Sequence, residues 1–334
     1  MNDRSLIQRV VLVVGLVWWG TFIASTSAFA QDLLVAKYTY PFEVKHFDAA
    51  GTPVGPGGTF AIDASMSFPS GIAYGPDGHL YVANEGTGDI QKYDGTTGAF
   101  LSTFITGSYG VLESPKGIVF DSTGDHLIVT SNDTPNSLLR YDAITGAYVD
   151  DLFSSLPVGV SIGTPWGVAV GPDGDIFCAG QSTNNILRFD GTTGAYVSEF
   201  VPFSVGGLVT PSGITFGPDG NLYVIEYGVP SLIRRYDGIT GASLGVFVSA
   251  GSGGLSRANF LLFGPSDGNL YVSSGDTANI LRYDGTTGAF IDIFASGSGL
   301  IMPTGLAFTP IPEPTMILLV PVAIGLLRIR RMKQ

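Results

Sequence analysis

Residues 69–100 read PSGIAYGPDGHLYVANEGTGDIQKYDGTTGAF, and the pattern returns along the whole chain. Pro115 opens PKGIVFDSTGDHLIVT, Pro165 opens PWGVAVGPDGDIFCAG and Pro211 opens PSGITFGPDGNLYVIE. Ala258 opens a degenerate copy, ANFLLFGPSDGNLYVSS. The aromatic residue before the second turn falls at Tyr93, Tyr141, Phe189, Tyr236 and Tyr283, in steps of 47 or 48. The glycine of P-x-G falls at Gly71, Gly117, Gly167, Gly213 and Gly305, with Phe260 in its place in the degenerate copy. Self-similarity at such a period must be read before any single segment, because it sets the architecture.

Each unit predicts four short strands. In the first full copy these are Ile72–Tyr74, Leu80–Val82, Ile90–Tyr93 and Ala99–Phe104. Between them lie a Gly-Pro-Asp-Gly turn at 75–78 and an Asp-Gly-Thr-Thr-Gly turn at 94–98. Glycine supplies positive φ there, proline fixes φ, and aspartate bonds its own loop. Four antiparallel strands repeated at about 47 residues are the mark of a β-propeller blade. The blade count follows from the ends. Leu33, Val35 and Ala36 align with Leu80, Val82 and Ala83, so the N-terminal body starts on a second strand. Pro303–Phe308 supplies the missing first strand. Five whole blades and one blade split between the two ends give an all-β, six-bladed propeller closed by sheet hydrogen bonds.

Composition agrees. With 47 Gly and 20 Pro the chain does not suit helices, and 45% hydrophobic with 13% charged is too apolar for disorder. The single cysteine, Cys178, excludes an intramolecular disulfide framework and a Cys-based zinc site. It occupies the place of Val82 and Val224, which predicts an inert buried thiol. The formal charge of −12 argues against a nucleic-acid partner. Setting aside residues 1–30 and 312–334 removes six bases and two acids and leaves the body near −16.

Both ends stand outside the repeat. Residues 1–30 read as a signal peptide: Arg4 and Arg9, an apolar run from Val10 to Ala24, then Ala28-Phe29-Ala30 as a small-x-small cleavage signal. The run is shorter than the ~20 residues of a membrane span, so cleavage by signal peptidase before Gln31 is expected. The last segment, 310–334, holds Pro312-Glu313-Pro314, an apolar stretch from Met316 to Leu327, and Arg328, Arg330, Arg331 and Lys333. A short apolar stretch with a basic tail stops in a membrane with the tail on the cytoplasmic side. This order of parts resembles the PEP-CTERM sorting signal of Gram-negative bacteria. That resemblance implies an exosortase-type processing protease as partner, and export to the cell envelope, outer surface or extracellular matrix after a transient tether. Pro321 and the short apolar stretch depart from a full span and favour a cleaved signal.

Between the ends, Leu33 to Phe308 resembles the NHL-repeat and gluconolactonase-like six-bladed propellers. The stretches that carry this are the five G-P-D-G-x-L-Y-V-like and five R-Y-D-like segments. Such propellers host binders, lactonases, lyases and scaffolds alike, so the resemblance implies fold rather than function.

The turns sort the molecule into two faces. The Gly-Pro-Asp-Gly and Asp-Gly-Thr-Thr-Gly turns are nearly identical between copies, whereas the loops at 84–89, 131–137, 181–185, 226–231 and 274–279 differ in every copy. Unlike loops on a rigid rim build a specific pocket, or else they drift for want of constraint. The x of P-x-G begins each inner strand at that variable face and reads Ser70, Lys116, Trp166, Ser212, Asn259 and Thr304. Lys116 and Trp166, with Asn84, Glu85, Asn132, Asp133, Gln181, Glu226 and Tyr227, are the candidate ligand-binding residues. Trp166 beside hydroxyl and amide groups suits a sugar, and polysaccharide or a surface protein is the expected partner. The alternative is that Trp166 covers the channel as packing.

No catalytic residue is assigned. His46, His79 and His126 occupy repeat positions at the uniform turns or on a third strand, which leaves no histidine for the mouth. This speaks against an enzyme like virginiamycin B lyase, a family that relies on such a histidine. The gluconolactonase-like resemblance implies a divalent cation such as Ca²⁺ held by Glu, Asn and Asp. Glu226, Asn132 and Asp133 have the oxygen ligands for it, and a metal-dependent hydrolase is therefore the rival to a binding or scaffold module. Arg140, Arg188, Arg235 and Arg282 recur beside Asp142, Asp190, Asp237 and Asp284, and either pair with those carboxylates or lie solvated.

Overall fold

The computed structural model describes residues 31–107, 112–132, 135–203 and 205–310. The sequence-derived signal peptide and all of the sorting segment but Pro310 lie outside them, among them Pro312, Glu313, Pro314, Arg328, Arg330 and Arg331, as does Asp133. The described residues form six four-stranded antiparallel sheets. The first whole blade runs outward as Pro69–Tyr74, Leu80–Asn84, Asp89–Tyr93 and Phe100–Ile105. The split blade joins Pro303–Phe308 to Leu33–Lys37, Glu43–Phe47 and Thr59–Ala61. Leu33 pairs with Phe308, Leu34 with Ala307 and Val35 with Leu306. The first strands stand side by side around one axis, and Pro303–Phe308 returns to Pro69–Tyr74. The architecture is the six-bladed β-propeller that the repeat predicts.

In the first whole blade the inner strand begins at Pro69, three residues before Ile72 and one before the x of P-x-G. Pro69 pairs with Asn84, and a bulge separates this pair from Ile72 and Val82. Proline is tolerated there because the first residue of a strand need not donate to the ladder.

One device explains the glycine that recurs in five of the six units. A Cβ on Gly71 would stand 2.5 Å from the carbonyl oxygen of Lys116 in the next blade. On Gly117 it would meet Trp166 O at 2.6 Å, and on Gly167 Ser212 O at 2.3 Å. Gly213 meets Asn259 O at 2.5 Å and Gly305 meets Ser70 O at 2.3 Å. At these five positions neighbouring inner strands thus approach backbone to backbone, closer than a Cβ permits. In the degenerate blade Phe260 replaces this glycine and its residue lines the channel.

The other repeat positions pack between blades. Tyr81 meets Phe104 of its own blade and Phe120 of the next edge-on, at 4.9 and 5.0 Å between centroids. Phe177, Tyr223 and Tyr271 repeat the arrangement with Phe200 and Phe216, Phe247 and Phe263, and Phe294 and Phe308. Edge-to-face pairs contribute ~0.5–1.5 kcal/mol beyond their buried area, so the Tyr of L-Y-V and the Phe of the inner strand act as interblade fasteners. Cys178 is fully buried in this core, and burial pushes its thiol pKa up.

The second turns are closed by aspartate. Asp94 Oδ1 accepts from Thr96 N, Thr97 N and Thr97 Oγ1. These bonds hold its carboxyl below the usual range, as the equivalent bonds do for Asp142, Asp190, Asp237 and Asp284. The recurring arginines pair elsewhere, which corrects both alternatives read from sequence. Arg140 bridges to Asp150, Arg188 to Asp173 and Asp175, and Arg282 to Asp292. The turn carboxylates are already filled by threonine and backbone donors, whereas Asp150 and Asp292 lie directly across the strand pair from their arginines and Asp173 and Asp175 stand in the first turn beside Arg188. Among the described residues no helix is long and apolar enough to cross a membrane.

Candidate functional site

The inner strands enclose a channel with two unlike ends. At the variable face three rings of residues converge. The first is the x position of P-x-G. The second is the residue after each second strand: Tyr38, Glu85, Asn132, Gln181, Tyr227 and Gly275. Each donates its backbone N–H to the residue before P-x-G, whose carbonyls form the third ring: Met302, Phe68, Ser114, Thr164, Thr210 and Arg257. Five of these six, all but Ser114, hold positive φ, between 44° and 52°. A non-glycine residue in that region is strained, and such strain often marks a site. Here it recurs around the ring, so it belongs to the scaffold that delivers the chain to the mouth.

The mouth holds a cavity of about 170 Å³ lined by Ser70, Lys116, Trp166, Asn259 and Thr304 from the first ring and Tyr38, Glu85, Tyr227 and Gly275 from the second. Arg257, Asp276 and Met302 complete it. Lys116 is buried, its ammonium paired with Glu85 Oε1 and lying 4.6 Å from the Trp166 ring centroid. Tyr38 Oη donates to Glu85 Oε2 at 2.9 Å. Burial, reinforced by the Glu85 charge, pushes the Tyr38 hydroxyl up, so it stays a donor at physiological pH. Tyr227 stands 6.0 Å from Trp166 with the rings tilted by 34°. Arg257 faces Asp276 at 3.5 Å. Each cation of the mouth thus has an anion beside it, within a strongly acidic body. The indole Nε1 of Trp166 is a buried donor without a partner among the described residues, and an acceptor reaching it would recover ~1–3 kcal/mol.

Of the residues chosen from sequence, Lys116, Trp166, Glu85 and Tyr227 come together here. Asn84 is fully buried behind the rim, where its amide donates to Asp89 Oδ1 at 2.8 Å and so clasps its own loop. Glu226 is drawn back into its blade by Arg234 Nε at 2.6 Å and Val209 N at 2.9 Å. Asn132 and Gln181 hold the second-ring position but do not line the cavity. Sequence reading missed Tyr38, Arg257, Asp276 and Met302. For Tyr38 the signal was present: the alignment of Leu33 with Leu80, carried five residues on, sets Tyr38 against Glu85.

The histidines stand away from this cavity. His46 Nε2 meets Asp32 at 2.8 Å, His126 Nδ1 meets Asp121 at 2.7 Å, and His79 Nδ1 accepts from Gly95 N at 3.4 Å. Among the described residues no three His, Cys, Asp or Glu side chains gather in a way that could hold a metal ion.

The NHL repeat family matches residues 66–93. No curated protein matches the chain. Among solved structures it is similar to one in a nidogen/laminin complex, at 17% identity and a TM-score of 0.66 over 84% of this chain and 98% of that one. It is similar to virginiamycin B lyase from Staphylococcus aureus at 20% identity and a TM-score of 0.50, over 74% and 71%. A protein of unknown function from Bacteroides caccae aligns at 11% identity and a TM-score of 0.63, over 84% and 99%. At these identities the likeness is one of fold. By one matched repeat and by its six sheets, the chain is a six-bladed β-propeller similar to NHL-repeat proteins.

Proposed function

We propose that the protein is an exported, surface- or matrix-associated propeller whose variable-face mouth binds a sugar unit of a polysaccharide, without turning it over. The observation that carries this is the lining of the mouth. Trp166, Tyr38 and Tyr227 stand with Ser70, Asn259 and Thr304 around a cavity that suits one sugar ring. Aromatic walls with a few placed polar groups are what sugar recognition needs. The internal pairing of Lys116 with Glu85 and of Arg257 with Asp276 favours a neutral ligand over an ion. Export and attachment are supported by the signal-like and PEP-CTERM-like ends, and processing by signal peptidase and an exosortase-type protease belongs to the same reading. The metal-dependent hydrolase has less support, since Glu226 is engaged by Arg234.

Titration of neutral oligosaccharides against the protein and its Trp166→Ala variant tests this. Saturable binding without product, weakened at least about tenfold (~1.4 kcal/mol) in the variant, is expected. Equal binding by the variant removes the mouth from the reading. A stoichiometric divalent ion together with lactone hydrolysis would replace it with the hydrolase.

A further inference from the structure

The opposite end of the channel is a second cavity, of about 510 Å³, and it is apolar. Ile72, Val168, Ile214, Phe260, Leu262 and Phe308 line it. Pro265, from one of the first turns, and Gln31 also line it, so this end faces the uniform turns. The chain leaves the fold at the same place. Phe308 ends the closing strand on the wall of the cavity, and Thr309 N is tied to Asp32 O at 2.9 Å. Six residue steps separate Pro310 from Met316, the start of the apolar stretch. At ~3.3–3.6 Å per residue these reach about 20 Å at most, so the linker keeps Met316 within reach of the opening. The second turns of five blades each carry an aspartate at this face, Asp94, Asp142, Asp190, Asp237 and Asp284, held ionised by threonine donors. The segment beyond Pro310 ends in Arg328, Arg330, Arg331 and Lys333.

We infer that, until a membrane or a protease takes the C-terminal segment, this cavity holds the leading part of the chain's own apolar stretch, Met316–Leu319, while the basic cluster lies on the acidic turn face. Three features select this occupant. The cavity is apolar, the segment is tethered at its edge, and the charges of tail and rim are opposite. Only part of the stretch enters: twelve residues as a helix would be ~18 Å long and ~10 Å wide, more than the cavity holds. The channel would then shelter the leading part of the apolar stretch from water and from other chains during export. This latch is at the far end of the channel from the mouth and does not depend on the sugar reading.

The test places photoreactive benzoyl-phenylalanine at Leu318 of the full chain, made in a membrane-free translation extract and illuminated. Adducts should map to Val168, Val170, Phe216, Phe260 or Leu262 of the same molecule. Val170→Asp should lower their yield at least about fivefold. Replacing Arg328, Arg330, Arg331 and Lys333 by Gln should lower it about twofold or more, as should 1 M salt, where the Debye length is ~3 Å. Adducts on the fourth strands or on other polypeptides, or a yield indifferent to Val170→Asp, overturn the latch. Should Val170→Asp fail to fold, the adduct map of the parent chain decides alone. Added lipid vesicles should compete with the internal adducts. Lipid adducts that appear with no internal adducts beforehand also overturn it.

Discussion

The mouth and the turn-side end of the channel are built from the same six inner strands, yet they share almost no chemistry. At the turn side the blades supply similar apolar residues, and the result is an apolar wall fastened by aromatic pairs at Tyr81, Phe177, Tyr223 and Tyr271. At the mouth the first-ring residues are Ser70, Lys116, Trp166, Ser212, Asn259 and Thr304, no two neighbours alike, and all but Ser212 line a small cavity with aromatic sides and placed charged, amide and hydroxyl groups. The difference teaches how a repeat acquires a site. Positions that face the neighbouring blade vary little, because each meets similar surroundings. Positions that face the axis meet only one another and are free to differ.

Gly167→Val attacks the shared waist between the two ends and should have the largest effect. Its Cβ would lie 2.3 Å from Ser212 O, a backbone atom that cannot turn away. A loss of ~3 kcal/mol or more is expected in a denaturant melt, from overpacking without room to relax. A loss under about 1 kcal/mol would mean that the blades slide freely and that the glycine ring is not what spaces them.

Glu43→Ala probes the polar network behind the mouth. Glu43 sits buried between Lys37 at 2.8 Å and Lys45 at 3.0 Å, with Thr59 Oγ1 on its second oxygen. Burial alone would raise its carboxyl pKa, but the hydrogen bonds of Lys37, Thr59 and Lys45 outweigh it and hold the value below 4.5. Removing it strands two buried ammonium groups, at ~3 kcal/mol near neutral pH. Because the folded pKa is depressed, this stabilisation is present above the ordinary carboxylate range and is lost as pH falls through the folded value. Parent and variant should therefore differ most above about pH 5 and converge in acid melts. A difference that grows on acidification would sink the assignment.

Phe260→Ala separates the two ends directly. Phe260 stands where the other blades have glycine, half-buried in the apolar cavity. Its truncation should cost ~2 kcal/mol through a larger void, while oligosaccharide binding at the mouth stays within about twofold. If binding falls in step with stability, the two cavities are one site. Asp190→Ala should do least: it removes three hydrogen bonds in one exposed turn. A small fall in melting temperature with unaltered mouth binding is expected from calorimetry, and any larger loss would make the uniform turns more than closures.

The fold was legible because a propeller writes itself several times. The turn aspartates, the aromatic residue of L-Y-V and the P-x-G glycine each recur about every 47 residues, and even the split blade shows in the match of Leu33 with Leu80. Part of the mouth was legible for the same reason. Lys116 and Trp166 were found as the variable residue of an otherwise fixed motif, and Glu85 and Tyr227 as members of the variable loops at 84–89 and 226–231. Asn84 and Glu226 looked equally suitable in sequence. Their fate turned on partners, Asp89 and Arg234, that only the folded loops bring within reach.

By itself, then, the sequence determined the number of blades, their order and the way the ring closes, since these depend on local turn chemistry and on a period that any reader can count. Only the tertiary structure decided which residues share the mouth. Tyr38, Lys116, Trp166 and Arg257 lie far apart along the chain and belong to different blades. No local interaction records that they face one another. They do so because closing the ring through Leu33 and Phe308 brings the strand Leu33–Lys37 beside Pro303–Phe308, and this sets the inner strands around a common axis.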